Sequence, residues 1–120
     1  MLPALTLDEL QQRLRDINKP LALLDGATIS VNAALANTFR LTLAGNRTLA
    51  NPTNLSAGQH LFFRIKQDAT GSRTLAFGSK YKFPGGAAVL STAANALDVI
   101  SCQYDQNDDT LVCVLNRAFS

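Results

Sequence analysis

The sequence is poor in what most enzymes and membrane proteins rely on. Tryptophan is absent, and 120 residues include one histidine, one methionine and two cysteines. A zinc site needs about four ligands, so His60 with the distant Cys102 and Cys113 makes no convincing set, and no metal is expected. No apolar run approaches the ~18–20 residues of a membrane span, so no span is expected. Residues 1–20 carry acids and bases where a secretory signal needs an apolar stretch, which predicts synthesis in the cytoplasm. Charged residues are 17% of the chain and the net charge is +2, which excludes a histone-like or disordered chain and gives non-specific duplex binding no basis. What remains, at 47% hydrophobic, is enough for one modest core.

Catalytic chemistry has little to work with. Hydrolases and transferases commonly combine a base, a nucleophile and an orienting group, with histidine or a close carboxylate pair among them. His60 heads a strand and reads as a surface residue. Asp105, Asp108 and Asp109 read as a solvated turn, since one short loop supplies too few fixed oxygens for the about six to eight that calcium takes. Neither Gly45-Asn46-Arg47 nor Gly71-Ser72-Arg73 opens a helix, and no phosphate loop ending in Gly-Lys-Ser/Thr exists. The expectation is a non-enzymatic protein without a cofactor.

Residues 1–20 predict one helical docking segment, and residues 21–120 a β domain. Thr6-Leu7-Asp8-Glu9 has capping-box spacing, in which hydroxyl and carboxylate can each satisfy an amide of the first turn. Leu7, Leu10, Leu14 and Ile17 then recur at three- and four-residue steps, and Asn18-Lys19-Pro20 ends the helix. A helix of about 11 residues is marginal alone in water, so this stripe is a candidate interface with another subunit.

Beyond Pro20 the hydrophobic period becomes two. Asp25-Gly26 predicts a first hairpin, and Phe39/Leu41/Leu43 and Leu61/Phe63/Ile65 each mark a strand with one buried face. Asn51-Pro52-Thr53-Asn54 and Pro84-Gly85-Gly86 read as surface turns. Ala44-Gly45-Asn46-Arg47-Thr48-Leu49-Ala50 is echoed by Thr70-Gly71-Ser72-Arg73-Thr74-Leu75-Ala76, and the preceding strands carry Phe39-Arg40 and Phe63-Arg64. Two copies are too few for a solenoid, so the echo predicts a duplicated hairpin turn.

The best-defined hairpin pairs residues 97–104 with 110–116 around Asp105-Gln106-Asn107-Asp108-Asp109. Centring the loop between Asn107 and Asp108 sets Tyr104 opposite Leu111, Cys102 opposite Cys113 and Ile100 opposite Leu115. Cys102 and Cys113 are then a candidate disulfide if the loop makes theirs a narrow pair. A reducing cytoplasm favours two buried thiols instead.

Residues 40–82 carry seven bases against Asp68 alone, whereas residues 98–109 carry four acids and no base. Such a division suits complementary subunits or an acidic partner surface, as well as ordinary outward-facing strand charge. Phe62, Phe77, Tyr81 and Phe83 beside these cations offer weak support for single-stranded nucleic acid, and no specific nucleic-acid partner is expected. Tyr81 with Lys82 is the one small candidate for a glycan contact.

The run from Asn46 to Asn54, then Arg64-Ile65-Lys66-Gln67-Asp68-Ala69-Thr70-Gly71-Ser72-Arg73-Thr74-Leu75, resembles a β-rich module of tailed-bacteriophage virion proteins. The likeness continues through Tyr81-Lys82-Phe83-Pro84-Gly85-Gly86 and Leu90-Ser91-Thr92-Ala93-Ala94-Asn95-Ala96-Leu97-Asp98, and spans about residues 38–119. Such modules are small β-sandwiches in tail fibres, head fibres and capsid decorations. The resemblance therefore implies a mainly β protein, an antiparallel β-sandwich or jelly-roll-like domain with one short N-terminal α-helix. It also implies a virion structural protein, located in the virion and assembled as a homo-oligomer, a trimer foremost, with major capsid or other virion proteins as partners. No collagen-like or coiled-coil shaft is present, so capsid decoration, cementing or a short head fibre is the first expectation. The alternative is a tail-fibre or tail-tip module binding a host receptor or glycan.

Overall fold

A computed structural model of the chain describes residues 4–16 and 18–119. Among these residues one α-helix, α1 (Leu7–Asp16), precedes nine strands, with a 3-10 turn at Pro84–Gly86: β1 (Leu21–Ala22), β2 (Thr28–Ile29), β3 (Thr38–Leu43), β4 (Arg47–Leu49), β5 (His60–Gln67), β6 (Leu75–Phe77), β7 (Tyr81–Lys82), β8 (Leu97–Asp105) and β9 (Thr110–Phe119). The larger sheet has the order β1-β3-β5-β8-β9-β7 and the smaller β2-β4-β6. The mainly β, two-sheet, sandwich-like class with one short helix is thus what the chain adopts.

Strand direction corrects the antiparallel or jelly-roll-like arrangement that the resemblance implied: most strand pairs are parallel, and only β5–β8 and β8–β9 are antiparallel. In the larger sheet β1, β3 and β5 lie parallel, as do β2, β4 and β6 in the smaller. The chain therefore winds through both sheets three times, each pass laid beside the last, and a parallel bridge from Asn32 to Thr53 ties two passes together outside the sheets. Strand β8 closes this coil by pairing antiparallel with β5, and β9 continues antiparallel to β8.

This winding replaces the hairpins expected at Asp25-Gly26, Gly45-Asn46 and Gly71-Ser72. Each turns a corner from the larger sheet to the smaller, and the strands it joins do not pair with each other. The two echoed corners also differ in backbone: Gly71 and Ser72 have φ of 74° and 60°, whereas neither Gly45 nor Asn46 has positive φ. A Cβ on Gly71 would lie 2.7 Å from the Thr92 carbonyl, so position 71 needs glycine for space as well as conformation. The physical reason for the misreading is that period-two alternation fixes a strand's buried face without fixing its partner. Of the two expected surface turns, 84–86 is exposed, and 51–54 keeps Thr53 and Asn54 exposed while Pro52 is buried and Thr53 makes the inter-pass bridge.

The core fills the space between the sheets. Phe39, Leu41 and Leu43 from β3, Leu61, Phe63 and Ile65 from β5, Ile100 from β8 and Leu111 from β9 meet Ile29 and Leu49 of the smaller sheet. Phe39 stacks on Phe63 at 5.4 Å, and Tyr81 and Phe77 extend the aromatic row. Three polar residues, Gln67, Ser91 and Asp98, are buried at one end of the core. Gln67 donates to the carbonyls of Arg73 and Ser91 and accepts from the Arg73 amide, while the Asp98 carboxylate accepts from the amides of Ser91 and Ala118. These bonds hold the irregular segments against the sheet and offset the desolvation of the Gln67 and Asp98 side chains.

Candidate functional site: a basic sheet face

Because strands alternate, the residues between the core positions of β3 and β5 all project from the outer face of the larger sheet. Arg40 lies beside Arg64 in the parallel register, Thr42 lies beside Lys66, and all four are exposed. Neighbouring strands are about 4.8 Å apart, so two guanidinium-bearing residues are placed at adjacent positions. On the far side of β5, Arg64 faces Val99 and Lys66 faces Leu97, which pairs in turn with Phe119. An open hollow of about 350 Å³ is lined by Arg40, Thr42, Arg64, Lys66, Asn95, Leu97 and Phe119. A second, of about 360 Å³, lies across β3 and shares Arg40 and Thr42 while reaching Ala22 and Asp25.

The seven bases of residues 40–82 separate into two populations. Arg47 is ion-paired to Asp25 at 2.8 Å, Arg73 to Asp68 at 3.1 Å and Lys80 to Asp109 at 2.9 Å. Each of these carboxyls is held below its ordinary value: Asp25 by the Arg47 hydrogen bond, Asp68 by Arg73 and the Gly71 amide, and Asp109 by the Tyr104 hydroxyl and Lys80. These ion pairs pin corners and the last loop. The side chains of Arg40, Arg64, Lys66 and Lys82 make no ion pair or hydrogen bond with any of the described residues.

The acids of residues 98–109 are mostly occupied within the chain. Asp98 is buried, Asp105 accepts from the Asn107 amide, and Asp109 takes Lys80 and the Tyr104 hydroxyl. Asp105 and Asp108 stay exposed in the hairpin loop.

The cysteines settle on the disulfide. Four residues, 106–109, separate the paired ends Asp105 and Thr110, so Cys102 and Cys113 form a narrow pair with Cα atoms 4.1 Å apart and are bonded. The registers Tyr104–Leu111 and Ile100–Leu115 are also as the loop centring predicts.

Tyr81 needs correction as a glycan contact. It is 6% exposed, its ring lies against Phe63 and Phe77, and its hydroxyl donates to the Ala50 carbonyl at 2.9 Å. Burial pushes its phenol above the ordinary range, so it is a core residue. Lys82 is exposed, with no aromatic platform from Tyr81 beside it. Phe77 packs on Phe83 at 4.8 Å as well, so of the four aromatics considered for base stacking only Phe62 is presented outward.

In α1 the Thr6 hydroxyl accepts from the Glu9 amide and donates to its carboxylate, each at 3.1 Å, so it closes the first turn without the reciprocal amide bond expected of Glu9. Leu7, Leu10 and Leu14 are 70%, 47% and 62% exposed, and the stripe is uncovered in the single chain. Ile17, the fourth member expected, lies outside the described residues.

The basic face itself was partly announced by the echoed Phe-Arg dipeptides. A parallel register aligns them, bringing Arg40 to Arg64, whereas a hairpin reading keeps them apart. Nothing local in the sequence points to Asn95 or Phe119 as its far wall.

Among the described residues no group of three metal-ligating side chains occurs, and no helix is long and apolar enough to cross a membrane. No curated protein and no solved structure matches the chain. A family model described as "Putative phage tail fibre C-terminal domain" matches residues 26–109, which takes in every strand from β2 to β8. That span is well over half of the chain and joins the two echoed corners, the aromatic row and the closing strand β8 in one unit, so the protein belongs to this tail-fibre family of bacteriophage virion structural proteins.

Proposed function

We propose that the chain is a host-facing module of a tail fibre, acting by adhesion rather than catalysis. The observation that carries this reading is the tail-fibre family match over residues 26–109. The exposed row of unpaired bases supports it, because a face left electrostatically unsatisfied suits an external partner. The family match gives capsid decoration no comparable support.

Assembly is assigned to α1. An isolated ten-residue helix with Leu7, Leu10 and Leu14 in water is marginal, and packing three copies along this stripe would remove the apolar surface and bundle the β domains side by side. Leu10→Asp with Leu14→Asp should then lower the mass seen by sedimentation equilibrium and leave the β melting transition in place. An unchanged mass would remove the helix from the assembly role.

The test of position uses gold-labelled antibody to this chain on intact virions. Label at fibre ends in few copies is expected. Label over the capsid shell in many copies would overturn the tail-fibre reading and favour decoration.

A further inference from the structure

We propose that the outer face of the larger sheet around Arg40, Arg64 and Lys66 binds an anionic saccharide through its carboxylate or phosphate groups. The proposal rests on the host-facing reading for the source of the ligand, and on the sheet itself for the site.

Like charges set directly across a strand pair disfavour the fold, and the usual relief is an intervening carboxylate. At Arg40 and Arg64 the described residues supply none, although the same chain neutralises Arg47, Arg73 and Lys80 one by one. An anion bridging the two guanidinium groups would turn that repulsion into charge-assisted hydrogen bonds, in the fork geometry that matches carboxylate and phosphate oxygens. Lys66, two residues along the same face, adds a third positive point about 6.6 Å from Arg64 along the strand.

The surroundings fit a sugar better than a bare ion. Thr42 and Asn95 offer hydroxyl and amide groups for ring hydroxyls, and Phe119 presents an exposed apolar wall for a sugar ring face. The hollow of about 350 Å³ is in the size range of small-ligand sites. Because Arg40 and Thr42 line both this hollow and the one of about 360 Å³ across β3, a polymer laid over β3 can place a charged unit on either side of Arg40.

Single-stranded nucleic acid fits less well. Its recognition leans on rows of stacking aromatics, and although Phe62 is exposed on this face, Tyr81, Phe77 and Phe83 pack against one another. For a second copy of the chain, Asp25, Asp68 and Asp109 are ion-paired and Asp98 is buried, which leaves, among the described residues, Asp105 and Asp108 of the last loop and Asp8 and Glu9 of α1 as the exposed acids.

The experiment uses the full chain, the variant Arg40→Gln/Arg64→Gln/Lys66→Gln, the single variant Arg64→Gln, and a charge-matched control, Arg13→Gln/Arg15→Gln/Lys82→Gln. Binding is measured by biolayer interferometry to immobilised oligogalacturonate, poly(glycerol phosphate), dextran and oligo-dT, at about 50 and about 200 mM salt. Circular dichroism checks that each variant is folded. Expected is binding to one or both anionic saccharide probes, weakening at the higher salt, with at least a tenfold loss in the triple variant, a smaller loss in Arg64→Gln and less than a twofold change in the control. Preference between the two anionic probes identifies the carboxylate or the phosphate source. The proposal is overturned if neither anionic probe binds, if dextran binds as well, if oligo-dT binds more tightly, or if the folded triple variant binds like the parent. Failure here together with gold label at fibre ends removes this site and leaves the tail-fibre reading standing.

Discussion

Arg40 and Arg64 stand side by side on the outer face of the β3–β5 pair, directly behind Phe39 and Phe63, whose rings stack at 5.4 Å on the inner face. One parallel register creates both relationships, since alternation sends each Phe inward and the following Arg outward. The inner contact stabilises the fold and the outer one opposes it.

Replacing Arg64 with Glu would convert that repulsion into a cross-strand ion pair with Arg40. The variant is expected to gain about 0.2–1 kcal/mol in urea unfolding at low salt, with the gain shrinking as salt rises. The same variant should lose binding to an anionic saccharide. A folded variant no more stable than the parent at low salt would count against unrelieved repulsion at this pair.

The Cys102–Cys113 bond closes a short loop with a sequence separation of 11. Constraining that loop in the unfolded chain is worth about 2–3 kcal/mol, so reduction should lower the denaturation midpoint without unfolding the protein at room temperature. Intact mass before and after alkylation tests the bond itself. Alkylation of both thiols in the folded, unreduced protein would show that the pair is open.

Acid should weaken the fold through three ion-paired carboxylates, two near corners and one in the last loop. The pKa values of Asp25, Asp68 and Asp109 are depressed by folding, so their contribution is fully present above the unfolded value of about 3.9 and is lost as pH falls through the lower folded values. Stability is expected to be flat with respect to these groups near neutrality and to decline below about pH 4. Asp68→Asn should be less stable than the parent at pH 7 and should show a shallower acid decline. At the alkaline end the sign reverses: Tyr81 is raised, its protonated form supports the fold, and that support is lost above the ordinary tyrosine value of about 10. Tyrosinate absorbance from Tyr81 should therefore appear with unfolding, and Tyr81→Phe should leave saccharide binding intact.

Two glycines with similar backbone angles should respond differently to alanine. Gly58, with φ of 71°, has open space where a Cβ would stand, so Gly58→Ala should cost about 1–2 kcal/mol for the left-handed conformation alone. Gly71, with φ of 74°, has the Thr92 carbonyl and the Ala94 amide within 2.8 Å of that position, so Gly71→Ala should cost clearly more. Equal losses in thermal melts would mean that the Gly71 corner is looser than this packing.

The last hairpin was legible in the sequence down to its register, because its two strands are neighbours in the chain and a four-residue turn rich in Asp and Asn leaves one pairing that buries Ile100, Cys102, Leu111 and Cys113 together. The capping residues of α1 and its apolar stripe were legible for the same reason, since both are set within a few turns of helix. The buried faces of β3 and β5 followed from their alternation.

What the sequence alone determined, then, was which residues turn inward and where the chain bends locally. Which strands lie together was decided only in three dimensions: β1 meets β3, β3 meets β5 and β4 meets β6 across long intervening segments, and parallel pairing leaves no turn in the sequence to announce it. The basic face belongs to that second category. Arg40 and Arg64 are 24 positions apart, and only the register between two passes of the coil brings them together, while burial removed Tyr81 from the surface and ion pairing removed Arg47, Arg73 and Lys80 from the available charge.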